Sequence, residues 1–113
     1  MPGKKLTYND VFTMGLKLPG VVKTTNKLST ALKVRGKILA CPAINKSAEP
    51  DSLMVSINRE KREELLFTLP EIFYVTPHHI GYACVLVRLG KITCKVLQYL
   101  LETALAYMNS GKK

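Results

Sequence analysis

The sequence predicts an α+β domain in two layers: an antiparallel five-stranded sheet with helices packed on it, in the order α-β-β-β-α-β-β-α. Three observations carry this. Apolar residues recur at helical spacing in three stretches and at alternate positions in short runs between them. The breaks between these stretches hold Gly, Pro, Asn and Ser, show no repeat, and are too short to divide the chain. The chain has 113 residues, 47% hydrophobic and 22% charged, which suits one domain with a real core. Three helices cannot cover both faces of a five-stranded sheet, so two layers follow.

The first helix is expected over 7–18. Thr7 followed by Asp10 is a capping-box start, and Asp10 suits the positive end of the helix dipole. Tyr8, Val11, Phe12, Gly15 and Leu16 share one face, and Pro19-Gly20 ends the helix. Residues 21–28 are polar and read as irregular. Strands are expected over 30–34 and 37–41 around an Arg35-Gly36 turn, with Gly36 supplying the positive φ that a tight hairpin needs. In that register Val34 faces Lys37, Lys33 faces Ile38 and Leu32 faces Leu39. A loop over 42–51 precedes a third strand in which Leu53, Val55 and Ile57 alternate with Ser52, Met54 and Ser56, giving one buried face.

Asn58 is placed to cap a helix over 59–69, whose first turns are charged and which can bury only Leu65, Leu66 and Leu69. Short strands over 72–75 and 85–89 flank a loop containing Pro77, His78, His79, Gly81 and Tyr82. Thr93 opens the last helix. Its stripe of Leu97, Leu100, Leu101, Ala104, Leu105 and Met108 belongs against the sheet, with Lys95, Gln98 and Glu102 outward.

The net charge of +9 is uneven. Residues 1–48 carry nine Lys or Arg and one acid, a balance of +8, while the remainder carries eight bases and seven acids. Such asymmetry points to a polyanion, nucleic acid first and an anionic membrane second; the plain alternative is a solvated surface that keeps the protein soluble. No apolar run approaches the ~20 residues of a membrane span, and the N-terminus lacks the apolar core of a signal peptide. No membrane partner is expected, the default compartment is the cytoplasm, and the chain is expected to be a monomer. The odd count of three Cys, with no pair two residues apart, argues against a disulfide framework or a zinc knuckle and for packed thiols.

Several phrases then fall together: Leu18-Pro19-Gly20-Val21, Ala31-Leu32-Lys33-Val34-Arg35-Gly36-Lys37, Phe73-Tyr74-Val75-Thr76-Pro77-His78, and Gly81-Tyr82 with Val85-Leu86-Val87-Arg88-Leu89. In this order they resemble the MmcQ/YjbR-like family of small bacterial proteins, from about residue 7 to residue 108. The resemblance implies a compact antiparallel sheet with helices on it, a fold shared with type III secretion chaperones, and DNA binding through a double-wing arrangement of loops. Two positions depart from the pattern. Cys84 stands where an aromatic is usual and His79 where Tyr is common, which weakens any stacking role for the second loop.

The candidate DNA-contacting residues are Lys23, Lys27, Lys33, Arg35, Lys37, His78 and Arg88. Wing cations sit beside phosphates, and an Arg at a wing tip can enter a narrow minor groove. Lys at a hairpin also guards edges against strand pairing, which is the competing explanation. His78-His79 with Cys84 and Glu71 matches no metal motif. Cys84 begins an apolar strand, where a thiol is packing rather than a nucleophile. There is no phosphate loop, no paired-carboxylate motif and no HExxH. The expectation is a protein that is not an enzyme, takes no metal or cofactor, and binds double-stranded DNA mainly through its phosphates. The alternative is a chaperone-like adaptor that docks a protein partner on a sheet or helix face.

Overall fold

The computed structural model describes residues 6–25, 30–43, 48–49, 51–77 and 80–110. Lys27, His78 and His79 lie outside the described residues. The order is α1 (Tyr8–Gly15), β1 (Val21–Thr25), β2 (Thr30–Val34), β3 (Lys37–Pro42), β4 (Ser52–Ser56), α2 (Arg59–Thr68), β5 (Phe73–Tyr74), β6 (Cys84–Arg88) and α3 (Cys94–Asn109). Among the described residues the sheet has six strands, not five, in the spatial order β1-β2-β3-β4-β6-β5, and every pairing is antiparallel.

The additional strand is β1. Only Val21 of its five residues is buried, so it carries no alternating apolar signal. It exists because β2 offers it a full ladder, from Val21 opposite Val34 to Thr25 opposite Thr30. A second correction lies in the hairpin. Val34 does face Lys37 and Lys33 faces Ile38, but Leu32 faces Ala40. Leu39 is the extra residue of a bulge, which lets consecutive Leu39 and Ala40 both be fully buried.

All three helices lie on one face. There Leu32, Val34, Leu53, Val55, Val85 and Val87 meet Val11 and Phe12 of α1, Leu65 of α2 and the inner stripe of α3. Leu97, Leu100, Leu101 and Ala104 are completely buried. Gly15 packs directly on Leu32, which brings α1 close to β2. The Thr7–Asp10 capping box forms in both directions, with the Thr7 amide donating to the Asp10 carboxylate at 2.8 Å. Asn58 occupies the N-cap of α2, but its side chain makes no capping bond. Leu69 remains partly exposed, and the place expected of a third apolar residue on α2 is taken instead by Arg62, which is only 4% exposed.

The opposite face of the sheet carries no described helix. Val22, Lys33 and Ile38 lie there in one cross-strand row, and Val22 and Ile38 are 54% and 38% exposed.

Candidate nucleic-acid interface

The β2–β3 turn is fixed by its backbone. Arg35 has φ 56° and Gly36 φ 79°, the two left-handed residues of a mirror-image type I turn, whose twist matches that of the flanking strands. The backbone geometry at the tip is therefore set by the hairpin, and Arg35 is exposed there.

Register places the neighbouring cations. Val21, Val34 and Lys37 form one row across three strands, so the α1–β1 turn, which carries Lys17, reaches the same end of the sheet as Arg35 and Lys37. Lys33 lies one residue inward on the bare face and is half-buried. Lys23 sits at mid-strand on β1, opposite Leu32, and is exposed. Among the described residues, none of Lys17, Lys23, Lys33, Arg35 or Lys37 has an acidic group within ion-pair distance. Asp10, the acid nearest in sequence to Lys17 and Lys23, is engaged in the α1 cap.

The loop that leads into β6 ends at this same end of the sheet. Cys84 faces Ser56, the Ile57 amide donates to the Ala83 carbonyl at 3.0 Å, and the Ser56 hydroxyl donates to the Ile38 carbonyl beside the first hairpin. Between β3 and β6 lies only β4, so the two loops stand two strand spacings apart, about 10 Å. This is the paired-loop arrangement that a wing reading requires. Its second member is held from beneath. Arg62 Nη1 donates to the carbonyls of Tyr82 at 2.7 Å, Ile80 at 3.3 Å and Cys84 at 3.3 Å, and Arg59 donates to the Gly81 carbonyl. The sequence places only Leu65, Leu66 and Leu69 of this helix inward, and Arg62 joins them. The signal that was present is spacing: position 62 lies on the same helical stripe as Leu65, Leu66 and Leu69.

Arg88 is brought elsewhere. It closes β6 at the opposite end of the sheet, opposite Ser52. Its guanidinium grips the Glu49 carboxylate with two bonds of 2.9 Å, donates to the carbonyls of Pro70 and Glu71, and stacks 4.5 Å over the Tyr74 ring. Tyr74 in turn bonds the Ser52 hydroxyl and accepts from the Glu49 amide, and the Tyr8 hydroxyl donates to the Ser52 carbonyl. Arg88 thus ties Glu49 and β5 to the sheet, and its donors face acceptors within the protein. The hydrogen bond from Arg88 holds the Glu49 carboxyl below its ordinary range. Of the candidate residues, the structure brings together Lys33, Arg35 and Lys37, with Lys17 added and Lys23 nearby. It separates Arg88, and Lys27 and His78 fall outside the described residues.

Two clefts open between the helices. The larger, about 880 Å³, lies between the start of α2 and the end of α3 and is lined by residues such as Arg59, Lys61, Thr103 and Tyr107. The smaller, about 540 Å³, lies between α1 and α3 and touches Cys94, Asp10 and Glu102. Among the described residues no three His, Cys, Asp or Glu side chains converge as a metal would need. Cys84 is buried and Cys41 half-buried, but Cys94, in the first turn of α3, is exposed rather than packed. Burial pushes the Cys41 and Cys84 thiols up, away from the reactive thiolate. No described helix is long and apolar enough to cross a membrane.

No family model matches the chain, and no curated protein matches it. Among solved structures, the crystal structure of Deinococcus radiodurans protein DR2400, a DUF419-domain protein, superposes with a TM-score of 0.72 at 22% identity. The match covers 95% of this chain and 82% of that one. DUF419 is the YjbR/MmcQ-like domain family, so the chain is similar in fold, across nearly its whole length, to a protein of the family that its sequence phrases resemble.

Proposed function

We propose that this protein is a YjbR/MmcQ-like, non-enzymatic cytoplasmic protein that binds the phosphate backbone of double-stranded DNA with little base readout. The observation that carries the reading is the end of the sheet where Lys17, Arg35 and Lys37, with Lys33 beside them, have no described acidic partner. Among the described residues, three cations of the second half are paired instead. Lys61 and Arg62 contact Glu64 and Glu63, and Arg88 is paired with Glu49. Unpaired cations on a pinned turn lose little conformational freedom when they meet phosphates, and they release counterions on binding. The second loop, clamped by Arg59 and Arg62, stands about two strand spacings away and gives a duplex a second backbone to rest on.

Fluorescence anisotropy with a random-sequence duplex at several salt concentrations tests this. Four engaged cations give a slope of log K against log salt near −3.6, from roughly −0.9 per phosphate, with Kd on the order of 10⁻⁴–10⁻⁶ M at physiological salt. The double variant Arg35→Ala, Lys37→Ala should flatten the slope by about 1.8 by the same relation. Lys91→Ala with Lys95→Ala removes equal charge from exposed residues after β6, at the opposite end of the sheet, and should leave the slope unchanged. Equal losses in both doubles would mean a diffuse polycation, and no binding at low salt would end the DNA reading.

A further inference from the structure

We infer that β1 is a docking edge for an extended acidic segment of a partner protein, which adds to the sheet as a seventh strand. Among the described residues, β1 is one of the two edges of the sheet, and the other, β5, is only two residues long. The direction of its free hydrogen-bonding groups follows from the hairpin. A two-residue turn makes Val34 and Lys37 a mutually bonded pair, so the peptide groups of Val34 point to β3 and those of Lys33 and Ala31 point to β1. Their partners Val22 and Thr24 are therefore the bonded residues of β1, and Val21, Lys23 and Thr25 turn their N–H and C=O groups outward. The Val21 amide agrees, since it donates to the Leu18 carbonyl and not to β2.

Charge selects the occupant. Lys23 is the central residue of the edge and the only charge on it. A second copy pairing antiparallel in the symmetric register would set Lys23 against Lys23, and like charges directly opposite are unfavourable. An acidic residue at that position is favoured instead, and Lys17 beside the Val21 end extends the preference along the strand. On the other face of such a strand, the residues beside Val22 and Thr24 would prolong the bare row of Val22, Lys33 and Ile38, where β-branched side chains fit. The partner chemistry is thus an extended run in which Val, Ile or Thr alternates with Asp or Glu. Lys23 works both as a guard against self-pairing and as the selector of that partner.

The probe is a synthetic peptide of about eight residues with Val and Thr alternating with Glu, and the same peptide with Lys in place of Glu. The acidic peptide should bind the intact protein and slow amide exchange at Lys23 and Thr25, leaving Val22 and Thr24 as they are. Lys23→Glu should weaken the acidic peptide roughly tenfold, the sum of a lost attraction and an added repulsion, and should strengthen the Lys peptide. Lys23→Pro, which removes one outward donor at an edge position that tolerates it, should also abolish the protection. Binding without protection of Lys23 and Thr25 would overturn the inference, because charge alone would then hold the peptide. So would a dimer in sedimentation with those amides already protected, or equal affinity of both peptides for the wild type. None of these outcomes depends on whether the protein binds a duplex.

Discussion

Replacing Arg62 should destabilise the protein more than any other change of a charged residue. Its side chain is 5% exposed, while its partner Glu63 is 66% exposed, so the ion pair faces water and contributes little. The weight falls on the carbonyls. Nη1 carries two hydrogens, one directed to Tyr82 at 2.7 Å and the other shared between Ile80 and Cys84 at 3.3 Å. Two bonds to a charged donor, at about 1.5–3 kcal/mol each, give a loss of about 3–6 kcal/mol for Arg62→Met, which keeps most of the apolar stem. Arg62→Ala should cost about 1 kcal/mol more through lost packing of that stem. Arg62→Lys, which retains one donor group, should fall between wild type and Met. Urea unfolding followed by far-ultraviolet circular dichroism measures these losses, with an unchanged m value showing that the comparison is sound. Amide exchange should accelerate first at 80–84, ahead of the strands. A loss below about 0.5 kcal/mol for Arg62→Met, the level of an ordinary surface substitution, would refute the claim that this arginine holds the second loop.

Three further outcomes follow from the packing and the charges. Gly15→Ala, which would raise helix propensity in an exposed helix, should instead destabilise by about 1–3 kcal/mol because the added methyl overlaps Leu32; thermal melts decide it. Leu101→Ala, at a fully buried position in α3, should cost about 2–5 kcal/mol, read by urea unfolding. The Glu49 carboxyl is held below its ordinary range by the hydrogen bond from Arg88. Its contribution is therefore present above the pKa of the unfolded chain and lost as pH falls through the folded value. Glu49→Gln should remove that part of the acid-side decline in melting temperature and leave the profile near neutral pH parallel to wild type.

Where burial is periodic, the sequence was sufficient. α3 shows the stripe of Leu97, Leu100, Leu101 and Ala104 that the 3.6-residue period demands, and the Thr7–Asp10 box forms as its spacing implies. β1 was invisible for the opposite reason. A strand at an edge, with one buried residue in five, owes its existence to the ladder on β2 rather than to its own pattern. The bulge at Leu39 was equally silent. A turn fixes the first two pairs of a hairpin, but the slip beyond them depends on which side chains the opposing helices require, and here both Leu39 and Ala40 are buried.

The candidate interface was harder to read because a linear charge count treats every cation alike. Arg35 and Arg88 carry the same guanidinium, yet one stands on a turn tip with no described acidic partner and the other meets a carboxylate, two carbonyls and an aromatic face. Nothing local distinguishes them, since the groups that occupy Arg88 come from positions 49, 70, 71 and 74. The same holds for Arg62, whose acceptors lie about twenty residues downstream. Folding therefore redistributes the excess of +9 without changing it. In the second half of the chain, arginines are drawn inward to fix loops and β5. In the first half, where one acid is engaged in a helix cap, Lys17, Lys23, Lys33, Arg35 and Lys37 have no described acid to meet and collect around one end and one edge of the sheet. The asymmetry along the chain becomes an asymmetry in space for that reason.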